Sequence, residues 1–323
     1  MNKPSLLISS IVLSSILSNS DACSSFVLSN SNTSNPSSIL VKVRDASFPT
    51  TKSKLATEDL RFFHDQGYPY VGLMFSQTDT NPGVRENIAA GTNNQGVSVA
   101  VNFATSQNKR IKTLYGSIAS RETDILRAIL EQAKTIDDAK QIIKQLDNQN
   151  KLVPCLITIS DKQNGLIVEI GADDQKNIRY EVKSTDTSGS VYVANQFDTP
   201  MLSTPTYNVS ISKDSANRLQ RLTELFSKPV NVTTASAMSI AKDYASDEMN
   251  SIFRYPTRAT YMANTSNGVT NLWIEFTDIG QIYNRAAITL NETFWSSHKD
   301  GDVIVASDSP FVPEKHISTV TTY

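Results

Sequence analysis

The chain has 323 residues, of which 39% are hydrophobic, and it sets 30 Lys and Arg against 32 Asp and Glu. That apolar fraction can fill the core of one large domain. A formal net charge of -2 without a long basic run argues against nucleic acid and anionic membrane surfaces as partners. His64, His298 and His316 are the three histidines, and their wide spacing points to neither a zinc site nor a histidine-based triad.

The first 22 residues differ from the rest. Lys3 gives a charged start, residues 6–17 are apolar and serine-rich, and Ser20 and Ala22 place small residues at the -3 and -1 positions of a cleavage site. This pattern predicts a secretory signal at residues 1–22, cut after Ala22, and a mature domain at 23–323. The protein is therefore expected to be periplasmic or secreted. The apolar part is short for a membrane span, and no later segment reaches that length.

In the mature chain, 26–28 and 39–43 read as the strands of an opening hairpin, joined by a Ser- and Asn-rich loop over 29–38. Further strands are predicted at 70–75, 97–103, 154–160, 166–170, 191–195 and 272–276. Between them Ile125, Leu126, Ile129, Leu130 and Ala133 form a helical stripe. Thr135 with Asp138 resembles a capping box opening a second helix with Ala139, Ile142, Ile143 and Leu146 on one face. Leu219, Leu222, Leu225 and Phe226 mark a third helix and 235–245 a fourth. These stripes are core faces. The order of strands, then helices, then strands predicts a single domain of mixed sheets covered by helices.

Only two cysteines occur, Cys23 and Cys155. In an exported chain they could form one disulfide, yet Cys155 lies in an apolar run that reads as a buried strand, where a thiol needs no partner. Cys23 stands where the signal would be cut. That position has chemical meaning. A thiol with pKa about 8.5 needs a base, and a free α-amine with pKa about 7.7–8.0 can take its proton. A peptide nitrogen cannot, because its lone pair is delocalised. Cleavage before Cys23 would thus create nucleophile and base together, suited to acyl transfer through a thioester.

From Cys23 onward the chain resembles the linear-amide C–N hydrolase superfamily, which includes bile-salt hydrolases, penicillin V acylases and the acyltransferases of 6-aminopenicillanic acid. The resemblance is carried by short motifs in order. These are Cys23-Ser24-Ser25-Phe26, the turn Ala90-Gly91-Thr92-Asn93-Asn94-Gln95-Gly96-Val97, Val101-Asn102-Phe103, the helix around Leu126-Arg127, Ala194-Asn195-Gln196-Phe197, and Ser215-Ala216-Asn217-Arg218-Leu219. Taken singly each fits an ordinary role: Asn102 and Asn195 as strand-end turns, Arg218 as a solvated helix residue, Arg44 and Asp45 as a surface pair.

The resemblance implies an α+β fold, an αββα sandwich of the N-terminal-nucleophile hydrolase type, acting on a small non-peptide linear amide without metal or organic cofactor. It implies Cys23 as nucleophile, Asn195 and then Asn102 as oxyanion donors, and Arg44 and Arg218 lining the site. One motif departs: Arg44-Asp45-Ala46-Ser47 stands where the superfamily has Arg-Asn-x-Asp. Either Asp45 then holds the α-amine from a shifted position, or the amine is held by weaker partners. A homo-oligomer stays open. The alternatives are an acyltransferase using the same thioester and a surface lipoprotein acylated at Cys23.

Overall fold

The structure, a computed structural model, describes residues 23–30, 36–45, 58–75, 87–103, 119–172, 177–185, 189–198, 213–228, 230–244, 251–254, 257–278 and 281–306. The expected signal at 1–22 and Ser47 lie outside these residues.

Fourteen strands are described: β1 (Cys23–Ser29), β2 (Ser37–Asp45), β3 (Asp59–Phe63), β4 (Tyr70–Phe75), β5 (Asn87–Asn93), β6 (Ser98–Asn102), β7 (Cys155–Ser160), β8 (Gly165–Ala172), β9 (Ile178–Ser184), β10 (Ser190–Val193), β11 (Thr257–Ser266), β12 (Val269–Asp278), β13 (Gln281–Leu290) and β14 (Val303–Ala306). The helices are α1 (Ala119–Gln132), α2 (Ile136–Asn148), α3 (Lys213–Phe226), α4 (Thr234–Ala241) and the short α5 (Glu292–Ser297). None is long and apolar enough to cross a membrane.

The strands form two sheets, one of order β10-β1-β2-β11-β12-β13 and one of order β14-β3-β4-β5-β6-β7-β8-β9. Every described pairing is antiparallel, which corrects the expectation of mixed sheets. Helices here follow completed runs of strands and do not serve as parallel crossovers, so nothing forces parallel pairing.

Side-chain alternation sorts the core into three parts. Val27 and Leu40 from the first sheet meet Leu73, Ala100, Leu156 and Ile167 from the second in the layer between the sheets. The opposite faces of β1 and β2, through Phe26, Leu28, Val41 and Val43, pack on Leu222 of α3 and on Ala237 and Ile240 of α4. The outer face of the second sheet packs on Ile125, Leu126, Ile129 and Leu130 of α1 and on Ala139, Ile142 and Ile143 of α2. Helix, sheet, sheet and helix are thus stacked: the protein is an αββα sandwich. Each buried Leu or Ile in these layers contributes about 1.5–3 kcal/mol.

Several local readings hold in detail. Thr135 accepts from the Asp138 N–H while Asp138 reaches back to the Thr135 N–H, closing the capping box of α2. Gly91, read as part of a turn, lies inside β5; the turn itself is confined to the residues after Asn93 and ends at Gly96, with φ +84°. Asn93 is buried and donates to the carbonyls of Leu130 and Ala133, tying that turn to the end of α1. The fourth helix is shorter than expected, ending at Ala241.

At Gly165 of β8 the two sheets approach closely. A Cβ there would fall on Val27 Cγ1 and lie 2.7 Å from Val27 Cβ. Gly165→Ala is therefore expected to lower stability by about 1–3 kcal/mol in urea denaturation, because both sheets must part to admit one methyl group.

Candidate active site

Cys23 opens β1 and is 3% exposed. It stands opposite Arg44 in the β1–β2 register, with Ser25 opposite Lys42. Alternation then decides which way each side chain goes. Cys23 and Ser25 share the face of Val27, and Lys42 and Arg44 share the face of Leu40, so all four enter the layer between the sheets. Ser24 and Asp45 project to the other face, toward the layer of α3 and α4.

On the helix side, four charges form a chain. The Asp45 carboxylate accepts from Arg254 Nε at 2.9 Å and Nη2 at 2.5 Å, and from the Thr257 hydroxyl at 2.7 Å. Arg254 Nη1 also donates to Asp214, which receives Arg218 Nε at 3.3 Å. Arg218 is fully buried. Its Nη1 donates to the Cys23 carbonyl oxygen and, at 3.0 Å, to the Ser24 hydroxyl; its Nη2 donates to Asn195 Oδ1 at 3.0 Å. Burial pulls the Arg218 guanidinium below its ordinary pKa, aided by Arg254 and opposed chiefly by Asp214. Burial also works against the Arg254 charge, but Asp45 and Asp214 outweigh it and leave that pKa raised.

Asn195 closes the circuit. Its Oδ1 accepts from the Cys23 nitrogen as well as from Arg218, while its Nδ2 donates to the Phe103 carbonyl at 2.8 Å. Both groups facing the oxygen can only donate there, which fixes the orientation of the amide. The Ser215 hydroxyl receives the Asn195 N–H at 2.9 Å, tying this loop to the start of α3.

Between the sheets a second set of contacts surrounds the thiol. The Cys23 sulfur lies 4.0 Å from the Asp45 main-chain carbonyl oxygen. Arg44 pairs with Glu58 at 2.6 Å and its guanidinium lies 4.2 Å from the centre of the Phe75 ring. Lys42, with no exposed surface, donates to the Val101 carbonyl at 2.5 Å and to Asn102 Oδ1. Asn102 Oδ1 also receives the Ser25 hydroxyl at 2.9 Å, and its Nδ2 donates to the Ala194 carbonyl at 3.0 Å.

The structure brings together all six residues singled out in the sequence: Cys23, Arg44, Asp45, Asn102, Asn195 and Arg218. Their contacts differ from expectation in three respects. Asp45 does not hold the Cys23 nitrogen, because alternation along β2 sends it to the helix side, where Arg254 and Thr257 take it; the nitrogen's partner is Asn195. Asn195 meets Cys23 through its oxygen, and the Nδ2 groups of Asn195 and Asn102 donate to the Phe103 and Ala194 main-chain carbonyls. Arg44, Asp45 and Arg218 are buried, where a surface pair or a solvated helix residue would be exposed.

Lys42, Glu58, Asp214 and Arg254 were not singled out by sequence reasoning. The alternation Leu40, Lys42, Arg44 carried a signal, for it places two cations on one face of a strand beside Cys23. Cys155, expected in a buried strand, lies in β7 as a free thiol, and burial, reinforced by Glu122, pushes its pKa well above the ordinary range.

With this geometry in view, the relatives are informative. The family described as acyl-coenzyme A:6-aminopenicillanic acid acyltransferase matches residues 32–265, more than half of the chain. The chain belongs to that family. It is thereby a member of the linear-amide C–N hydrolase superfamily, among enzymes that act on amides. The match spans Lys42, Arg44, Asp45, Asn102, Asn195, Asp214, Arg218 and Arg254, and begins after Cys23. Comparison with proteins of curated function gives no match. Among solved structures, a Caenorhabditis elegans ortholog of N-acylethanolamine-hydrolyzing acid amidase is 16% identical, with TM-score 0.48, over 74% of this chain and 92% of its own. A mutant conjugated bile acid hydrolase from Clostridium perfringens is 13% identical, with TM-score 0.45, over 91% of this chain and 99% of its own.

Arg254 stands between two buried carboxylates. Arg254→Met is expected to cost about 3–5 kcal/mol in denaturant titration, since Asp45 and Asp214 lose a shared counter-charge inside the protein. A loss below 1 kcal/mol would show that water already reaches this cluster.

Proposed function

We propose that this protein is an exported amidase that cleaves a small, non-peptide linear amide through a thioester on Cys23. Residues 1–22 serve as the signal, cleavage after Ala22 leaves a mature domain of 23–323, and the new α-amine becomes the base. The substrate class is an N-acyl amide of the bile-salt or penicillin V kind. Neither a metal nor an organic cofactor is needed for that chemistry, and nucleic acid is not a partner. The mature enzyme is periplasmic or secreted, and its assembly is compatible with a homo-oligomer.

The observation that carries this reading is the grip on the main chain of Cys23. Arg218 holds its carbonyl oxygen, and Asn195, itself held by Arg218, takes the N–H. Any buried main-chain N–H and C=O needs a partner, but here both partners are side chains bonded to each other. A nucleophile whose own nitrogen is the base needs them, because the nitrogen must stay aimed at sulfur and substrate.

In the proposed cycle the thiolate attacks the amide carbonyl, the C–N bond breaks, and the amine leaves with a proton delivered by the α-ammonium. Water then adds to the thioester, giving its proton to the α-amine, and the C–S bond breaks to release the acid. Asn195 is assigned two tasks, holding the nitrogen through Oδ1 and facing the oxyanion through Nδ2, with Asn102 behind it. Arg44 keeps positive charge on the thiol's side of β2.

The acyltransferase alternative is favoured by one observation, the activity for which the matching family is named. It differs only in whether an amine replaces water at the thioester. The lipoprotein alternative needs the Cys23 sulfur outside the protein, and 3% exposure between two sheets argues against it.

Secreted protein is expected to begin at Cys23 by N-terminal sequencing. Against a panel of N-acyl amino acids, penicillin V and conjugated bile salts it should release amine and show an acyl adduct by intact mass, absent from Cys23→Ser. Adding free amines tests the transfer branch. A different N-terminus, or inertness with no adduct across the panel, removes the reading. Asn195→Ala is expected to lower kcat by roughly 10²–10³-fold with the fold kept by circular dichroism. Unchanged turnover would reduce Asn195 to a packing residue.

A further inference from the structure

We infer that Lys42 is a second proton-transfer group at the nucleophile: it takes the Cys23 thiol proton and holds the sulfur as thiolate, leaving the α-amine to serve the leaving nitrogen and water. This rests on the proposed role of Cys23 as nucleophile. Lys42 and Cys23 enter the same layer from adjacent strands, at successive same-face positions of the ladder, Lys42 opposite Ser25 and Cys23 opposite Arg44, and charge on the Cys23 sulfur favours the Lys42 ammonium.

Lys42 has no carboxylate among its hydrogen-bond acceptors. They are neutral, the Val101 carbonyl and Asn102 Oδ1. Its cross-strand neighbours are Ser25 on one side and Tyr261 on the other, whose hydroxyl is engaged by Thr92. The charged groups that act on it are Cys23, Arg44 and Asp45, and Asp45 is itself committed to Arg254 on the far face of β2. A permanently charged ammonium in such surroundings is costly. Burial accordingly lowers the Lys42 pKa, Arg44 lowers it further, and the Cys23 thiolate acts in the opposite direction.

Charge balance gives the second support. Arg44, Arg218 and Arg254 face Glu58, Asp45 and Asp214 in the buried cluster. Three cations cancel three anions, so the remaining pair, thiol with amine or thiolate with ammonium, is neutral in both forms. A proton can pass from sulfur to Lys42 Nζ without bringing net charge into the interior. The S–H bond breaks, an N–H bond forms on Lys42, and the electron pair stays on sulfur for attack. The leaving amine takes its proton from the α-ammonium, water restores that proton as it adds to the thioester, and cleavage of the C–S bond returns the pair to its starting state.

The test reads Lys42 and Cys23 directly. In mature protein labelled with ¹³C at lysine Cε, the Lys42 titration is expected to move to lower pH by about one unit or more in Cys23→Ser, since a thiolate partner has been lost. An unmoved titration overturns the inference and needs no folded Lys42 variant. Alkylation of Cys23 by iodoacetamide at pH 7, located by peptide mass, should fall about 10-fold or more in Lys42→Met. It should change less than about threefold in Lys42→Arg, which keeps the cation. Wild-type alkylation in folded Lys42→Met also overturns it. If wild-type protein is inert on amides while the Lys42 titration shifts, the proposed function fails and the lysine–thiol coupling stands.

Discussion

β1 and β2 have no wet face. One side of the ladder looks into the layer between the sheets and the other is covered by α3 and α4, so every ionisable group on these strands must find its counter-charge inside the protein. Cys23, Lys42, Arg44 and Asp45 all lie on this ladder. Their demands organise the site: Glu58 is drawn to Arg44, Arg254 to Asp45, and Asp214 to the two arginines that converge on it. An isolated charge in this position would cost several kcal/mol, and the pairs offset that cost only as a complete set. The cluster therefore behaves as one unit, in which neutralising a single member exposes its partner.

Neutral polar groups do the work of joining the parts. Asn102, at the end of β6 in the second sheet, accepts from Ser25 and Lys42 of the first sheet and donates to Ala194. It thereby fixes the separation of the sheets at the level of Cys23 and holds the residue before Asn195. Asn195 then connects Phe103, Arg218 and the Cys23 nitrogen. Two asparagines, one ending β6 and one just after β10, thus set the position of Cys23 relative to the helix layer. An amide suits this use because it donates and accepts at once, and it adds no charge to a balanced cluster.

Much of the architecture was legible because periodicity survives where one face packs on one layer. The stripes of α1 and α2 and the strand at 70–75 are cases, and the capping box of α2 was readable residue by residue. Strands β3, β5, β9, β11, β13 and β14 were not foreseen, β5 because its small residues Ala89, Ala90 and Gly91 read as turn chemistry. The others carry polar or charged residues at short intervals, as in Arg61, Glu181, Asn264 and Arg285, which hide the apolar alternation. For the site, a linear motif could nominate Asp45 but not aim it. Its direction follows from the pleat, which sends Arg44 and Asp45 to opposite faces. Lys42 lies in the strand expected at 39–43, where a cation at every second position fits a solvated face as readily as a buried one, and here both faces are covered. Arg254 lies in a short irregular segment with no periodic pattern to mark it.

The geometry around the Cys23 nitrogen also separates what folding supplies from what cleavage would add. A peptide N–H and a terminal amine can both donate to Asn195 Oδ1, and neither change alters the carbonyl that Arg218 holds. The frame of the site is thus independent of whether a residue precedes Cys23. What depends on it is basicity, since only the amine has a lone pair to receive a proton. Lys42 stands outside that dependence, because its nitrogen is present in either form of the chain. On the proposed cleavage before Cys23, a fold that buries a lysine in the layer of the thiol and also holds the thiol's own nitrogen would offer two proton acceptors with different origins, one given by folding and one by that cleavage.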